Sequence, residues 1–183
     1  SYSYNENGLL ESVTDPEGNV THRAYDPSRK LTSVTDAAGN ETKYTYDSLD
    51  RLVKITDALG GKTSYTYDAM GRRTSETDAE GHTTSYTYDH LGRLTQLTNA
   101  MGGKTSYTYD PNGNLLQTTD ANGNSTSSSY DALNRVISET DGEGNATAYS
   151  YDSMGRVTAV TNALNGVTRY TYDLAGNLLT RTD

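Results

Sequence analysis

The sequence contains no cysteine, phenylalanine or tryptophan, and only 3 prolines in 183 residues. Without cysteine there can be no disulfide, no thiolate metal ligand and no cysteine nucleophile. With hydrophobic residues at 32%, the missing Phe and Trp argue against a large apolar core. No apolar run approaches the roughly 20 residues needed to span a bilayer. No basic head with an apolar centre marks a signal peptide in this segment. Acidic residues outnumber basic ones, 24 to 15, for a net charge of −9. Clustered Lys and Arg to grip phosphate are therefore lacking, and neither nucleic acid nor an anionic membrane is an expected partner.

A chain this acidic and poor in aliphatics would often stay disordered. Its 16 Tyr and 17 Gly oppose that reading, because they are strictly placed. The pair Tyr-Asp recurs at Tyr25-Asp26, Tyr46-Asp47, Tyr67-Asp68, Tyr88-Asp89, Tyr109-Asp110, Tyr130-Asp131, Tyr151-Asp152 and Tyr172-Asp173, always 21 residues apart. Thr-Asp or Thr-Asn keeps the same beat from Thr14-Asp15 to Thr182-Asp183, with no insertion or deletion. A fixed period of this length marks a repeat architecture.

Every Tyr falls in one of two slots, two residues apart: Tyr44 and Tyr46, Tyr65 and Tyr67, Tyr86 and Tyr88, Tyr107 and Tyr109, Tyr149 and Tyr151, Tyr170 and Tyr172. Arg23 and Ser128 replace the first Tyr in two units. With the Thr before them they alternate as Thr-x-Tyr-x-Tyr, which puts Thr and both Tyr on one face of a strand. These Tyr are the candidate structural ladder. The other half of the unit reads Gly-Arg-Leu-x-x-x-Thr-Asp, apolar after Arg except at Arg73. A further slot holds Val13, Val34, Ile55, Leu97 and Val160 but also Glu76, Thr118 and Glu139. Its mixed chemistry suits a half-buried position or the opposite face.

Two Asp-x-x-Gly corners per unit, alternately 11 and 10 residues apart, set the period. Asp15 to Gly18, Asp36 to Gly39, Asp68 to Gly71 and Asp120 to Gly123 are examples. An Asp carboxylate accepts from backbone N–H groups just ahead of it, and Gly takes the left-handed position that closes a bulged hairpin. Where Gly is missing, Asp50, Asn134 and Asn165 replace it, residues that tolerate positive φ. Arg29 in that slot has no sequence rationale. The spacing predicts an all-β chain: a continuous antiparallel meander over 1–183, one repeat array without caps. Two strands per unit give about 17 strands in a sheet roughly 80 Å along, at about 4.8 Å per strand, curved because strands twist.

The Tyr-Asp unit, with its Gly-Arg-Leu and Thr-Asp-x-x-Gly-Asn corners, resembles the rearrangement-hotspot (RHS) or YD-repeat family over essentially the whole chain. Relatives include bacterial polymorphic toxin shells, the C component of insecticidal toxin complexes, wall-associated proteins and the YD shell of teneurins. The resemblance implies a spiralling β-shell segment that encloses or displays a toxin or effector domain of a longer parent protein. It also implies a secreted or cell-surface setting and no enzymatic activity. Family shells are longer and plugged, whereas this chain starts inside a unit and stops at a corner, as a fragment or a deliberately repeated array would. The recurrence of Gly-Lys-Thr-Ser-Tyr-Thr-Tyr-Asp at 61–68 and 103–110 fits duplication or design.

Other chemistry is weakly signalled. Asp15-Pro16-Glu17-Gly18 and Asp110-Pro111-Asn112-Gly113 resemble the self-cleavage stretch of family shells, yet both sit in register with ordinary corners. The corners lack a calcium-loop pattern, so Asp as a turn cap explains them. His22, His82 and His90 share no spacing that builds a ligand set. Gly-Gly-Lys-Thr at 60–63 and 102–105 lacks the rest of a phosphate loop. No catalytic residue, cofactor or metal is assigned. The rival to a wall is a module binding carbohydrate or protein through its Tyr ladders, or an array self-associating through open strand edges.

Overall fold

The computed structural model describes all residues, 1–183, and is all-β. It has eighteen strands: β1 (Tyr2–Tyr4), β2 (Leu10–Thr14), β3 (Val20–Tyr25), β4 (Leu31–Thr35), β5 (Glu41–Tyr46), β6 (Leu52–Thr56), β7 (Lys62–Tyr67), β8 (Arg73–Thr77), β9 (Thr83–Tyr88), β10 (Leu94–Thr98), β11 (Lys104–Tyr109), β12 (Leu115–Thr119), β13 (Ser125–Tyr130), β14 (Val136–Thr140), β15 (Ala146–Tyr151), β16 (Val157–Thr161), β17 (Val167–Tyr172) and β18 (Leu178–Thr182). They follow one another as an open antiparallel meander, and the expected count of 17 becomes eighteen because the short β1 forms at the start. Two compact units are distinguished, Ser1–Tyr86 with Asn99–Met101, and Thr87–Thr98 with Gly102–Asp183.

In the first unit β1 to β8 pair in order, and in the second β10 to β18 do the same. Six-residue and five-residue strands alternate because the two corners differ. Across Asp36–Asn40 the register is unbroken, Ser33 opposite Lys43 and Thr35 opposite Glu41. Across Asp47–Arg51 it slips by one, Thr45 opposite Lys54 but Tyr46 opposite Leu52. A β-bulge therefore follows every second corner, and it absorbs the odd residue that makes the period 21 rather than 20. A strand register with period 2 would otherwise turn the next strand inside out.

The register settles the second apolar slot. Tyr44 faces Ile55, which faces Thr63, and Tyr149 faces Val160, which faces Thr168. That slot lies on the tyrosine face and not on the opposite one, half-buried at Val13, Val34, Ile55, Leu97 and Val160 and exposed at Glu139. The opposite face is largely hydroxyl: Ser64 faces Thr77 and Thr66 faces Ser75, with Thr66 Oγ1 and Ser75 Oγ 2.6 Å apart. No side chain is fully buried, so the sheet is held by neighbour-to-neighbour pairing, as in other quasi-one-dimensional arrays.

The corner that closes each hairpin is built on backbone geometry. Gly18, Gly39, Gly71 and Gly123 have φ of 89, 85, 82 and 87°. Asp50, Asn134 and Asn165 occupy the same region at 65, 62 and 62°. Arg29 does so at 69°, and its Nη2 donates to the Asn7 carbonyl at 2.6 Å. That cross-repeat bond is the one feature of the side chain that sets against the left-handed backbone here. A Cβ at Gly123 would touch nothing within 4 Å. Gly123→Ala should therefore destabilise only through the left-handed backbone, by about 1–2 kcal/mol. Urea unfolding with unchanged m-value checks this.

Candidate functional site

The chemistry of this chain is concentrated at its corners. At each, the Asp N–H donates to the carbonyl of residue i+4, and its own carbonyl accepts from residue i+3. The Asp36 carboxylate accepts from the Ala38 and Asn40 amides at 2.9 and 2.8 Å, and from the Asn40 side chain at 2.8 Å. The Asn40 side-chain amide, then the backbone N–H groups, hold the Asp36 carboxyl below the usual carboxylate range. Asp15 and Asp120 are lowered for the same reason by Asn19 and Asn124. At Asp68 burial pushes upward, but the Arg72 backbone and side chain outweigh it.

Corners that follow Tyr-Asp carry a second device. Asp47 accepts from the Leu49 and Arg51 amides at 2.9 and 3.0 Å, and its other oxygen accepts from Arg51 Nε at 2.8 Å. The guanidinium so aimed donates through Nη1 to the carbonyl of Asp68, the equivalent corner one repeat on, at 2.9 Å. It also lies 4.9 Å from the centroid of the Tyr67 ring. The Tyr67 hydroxyl then donates to the Leu52 carbonyl at 2.7 Å, next to Arg51. One closed clamp thus joins successive repeats through Asp, Arg, Tyr and backbone.

The same clamp recurs in the second unit. Arg93, Arg135 and Arg156 reach the carbonyls of Asp110, Asp152 and Asp173 at 2.7, 3.2 and 2.9 Å. They stack on Tyr109, Tyr151 and Tyr172 at 4.8, 4.5 and 4.8 Å. Where Lys30 replaces Arg, its Nζ reaches Asp50 at 2.6 Å and sits 5.9 Å from the Tyr46 ring. Where Asn114 stands in that slot, its amide donates to Asn134 at 2.8 Å. Half-exposed cation–π contacts of this kind contribute about 0.5–1 kcal/mol, and the carbonyl bonds to a charged donor about 1.5 kcal/mol or more.

The structure separates the two tyrosine slots, which the sequence had treated alike. Second-slot hydroxyls are committed: Tyr46, Tyr109, Tyr151 and Tyr172 donate to the carbonyls of Leu31, Leu94, Val136 and Val157 at 2.9, 2.9, 2.6 and 2.8 Å. Those carbonyls lie where the ladder ends, since β4 and β5 pair only over Ser33–Thr35 and Glu41–Lys43. The hydroxyl fills a gap left by the splay of the strands. Tyr88 is half-buried on the same face. First-slot Tyr44, Tyr65, Tyr86, Tyr107, Tyr149 and Tyr170 are half-buried as well. Tyr149 donates to Glu139 at 2.8 Å, a bond that, with burial, raises its pKa.

Two exceptions in the repeat meet in space. Arg73 replaces the apolar residue and Glu76 the second apolar slot, and they pair at 2.9 Å. The Arg73 guanidinium lies 5.6 and 5.3 Å from the rings of Tyr65 and Tyr86. They make a polar patch on the tyrosine face, which no single slot revealed.

Sequence reasoning missed the corner arginines as connectors. The signal was present: Arg stands four residues after Asp in Tyr-Asp-x-x-Gly-Arg, the spacing that brings Nε onto the carboxylate. Of the histidines, His22 and His90 are exposed and apart. His82 Nδ1 lies 3.1 Å from Asp78 and 3.3 Å from Glu80. The sequence comparison of histidine with histidine overlooked these carboxylates at i−4 and i−2.

Comparison with known proteins agrees with this geometry. The RHS Repeat family model matches residues 4–41, 29–62 and 46–83, and the Teneurin YD-shell model matches residues 73–183. No curated protein matches the sequence. Among solved structures, the TcdB2-TccC3 crystal structure is similar at 19% identity and a TM-score of 0.67, over 93% of this chain and 12% of that one. TcdB2-TccC3 without its hypervariable C-terminal region gives 19% and 0.68, over 96% and 12%. The Photorhabdus luminescens Tc holotoxin pore gives 20% and 0.64, over 93% and 10%. The chain thus spans about an eighth or less of those chains, and at this identity the likeness shows the fold. The family models cover the chain from residue 4 to its last residue, and it belongs to the RHS/YD-repeat family of β-sheet shells.

Proposed function

We propose that this segment is a length of shell wall that encloses or displays an effector domain carried by a longer parent protein, in a secreted or cell-surface setting, without catalysis of its own. The observation that supports this most is the Asp-Arg-Tyr clamp, which gives a one-layer sheet cross-repeat rigidity without a core. The residues in question are the Tyr ladder and the corner Asp and Gly, and their role in this reading is to hold the wall. The two faces are chemically distinct, aromatic and half-buried on one side, hydroxyl on the other. That asymmetry suits a partition with an inside and an outside.

The rival reading, a glycan-binding ladder, is disfavoured by the second-slot tyrosines. One ring face is covered by a guanidinium and the hydroxyl is given to a carbonyl, so stacking a sugar there would require breaking the clamp. Electron microscopy of the parent protein tests the proposal. A hollow wall with density inside is expected. An extended array with specific glycan binding, abolished by Tyr→Ala in the first slot, would overturn it.

A further inference from the structure

Three corners of the unbulged class share Asp-x-Glu-Gly: Asp15 to Gly18, Asp78 to Gly81 and Asp141 to Gly144. The turn brings both carboxylates round the residue at i+4. In the third, the Asn145 side-chain nitrogen lies 2.9 Å from Asp141 and 3.4 Å from Glu143. An amide nitrogen has two hydrogens and no lone pair to give, so Asn145 satisfies its carboxylates as a donor. At the second corner the residue is His82, whose Nδ1 is 3.1 Å from Asp78 and 3.3 Å from Glu80. One ring nitrogen carries at most one hydrogen and cannot serve two carboxylates as an amide does. Two carboxylates thus converge on one imidazole nitrogen, which in one tautomer donates its single N–H and in the other offers a lone pair to a cation.

We propose that Asp78, Glu80 and His82 form a binding site for one divalent transition-metal ion of the zinc class. The three ligand atoms lie within 4.8 Å of one another. Ligand distances of about 2.0–2.2 Å around a tetrahedral ion put neighbouring donors ~3.4 Å apart, close to the two separations found. All three side chains are exposed, and Asp78 can keep its Oδ1 on the Glu80 and His82 amides, at 3.0 and 2.9 Å, while its Oδ2 faces the ion. Beside them a depression of about 430 Å³, lined by Glu76, Asp78, His82, Thr84, Ala100 and Met101, leaves room for the water that completes the shell. Imidazole with carboxylates favours zinc, copper or nickel over calcium.

The repeat supplies its own controls. Asn19, Asn40, Asn124 and Asn145 all hold the His82 slot in other corners, so His82→Asn leaves a competent turn. Zinc titration by calorimetry should give one ion per chain, and His82→Asn should weaken it tenfold or more, since even outer-shell losses cost about 10–100-fold. Asn145→His should install a second ion of similar affinity. Proton NMR should show zinc shifting the His82 ring signals while those of His22 and His90 stay in place. Zinc affinity unchanged by His82→Asn, no second ion with Asn145→His, or calcium binding as tightly as zinc would each overturn the site.

Discussion

Replacing Tyr67 by alanine is expected to cost about 2–3 kcal/mol, the largest loss from any single side chain in the first unit. The ring is half-buried, which sets the figure below the roughly 3–5 kcal/mol of a core aromatic truncation. Three things go at once: the surface under the Arg51 guanidinium, the hydroxyl on the Leu52 carbonyl, and the pairing opposite Arg73 across the bulge. Tyr67→Phe isolates the hydroxyl and should cost about 1 kcal/mol. The double substitution with Arg51→Ala should cost less than the sum of the single ones, because the pair is in contact. Hydrogen exchange adds the spatial test. In a nearest-neighbour array the damage stays local, so amides of β6 to β8 should open while those of β16 to β18 keep their protection. A uniform loss along the chain would show that the clamp is not what joins repeats.

Acid should dismantle the protein, and later than ordinary carboxylates would suggest. Thirteen corner aspartates have their pKa lowered from the ordinary carboxylate value by the side-chain and backbone hydrogen bonds of their turns. In the unfolded chain they titrate near ~3.9. A depressed folded pKa means the folded state resists protonation. The stabilisation is complete above the unfolded value and is lost as pH falls through the folded ones. Circular dichroism should therefore show a native sheet at ordinary carboxylate pH and a steep, many-proton collapse below it. The chain already contains the control residue: Asn99 and Asn162 cap their corners with an amide oxygen, accepting from Met101 and Leu164 at 3.0 Å each. Asp→Asn at Asp36, Asp120 and Asp141 together should flatten the acid transition. An acid profile unaltered by those changes would place the acid sensitivity elsewhere.

The fold was legible because its determinants are local. Asp, two residues and a left-handed residue specify a corner whatever lies around it, and 21-residue spacing repeats the instruction. The 11 and 10 alternation even carried the bulge, although the sequence did not say on which strand it sits. Interactions between repeats were far less legible. Arg51 and Asp68 are 17 residues apart, and only the strand register reveals that one repeat's guanidinium meets the next repeat's carbonyl. Arg73 and Glu76 read separately as two failures of an apolar pattern, yet they form one compensated pair. His82 showed no histidine partner because its neighbours are carboxylates on its own turn. Arg29 finds its hydrogen-bond partner at Asn7, 22 residues earlier, beyond the reach of any local pattern.

A layer one sheet thick with nothing fully enclosed has a calorimetric consequence. The heat-capacity increment on melting comes mainly from hydrating apolar surface, at about 12–15 cal/mol/K per residue in ordinary globular domains. Here so little is dehydrated in the native state that the increment should fall well below that norm. The stability curve then becomes shallow, and the protein loses little between cold and warm surroundings.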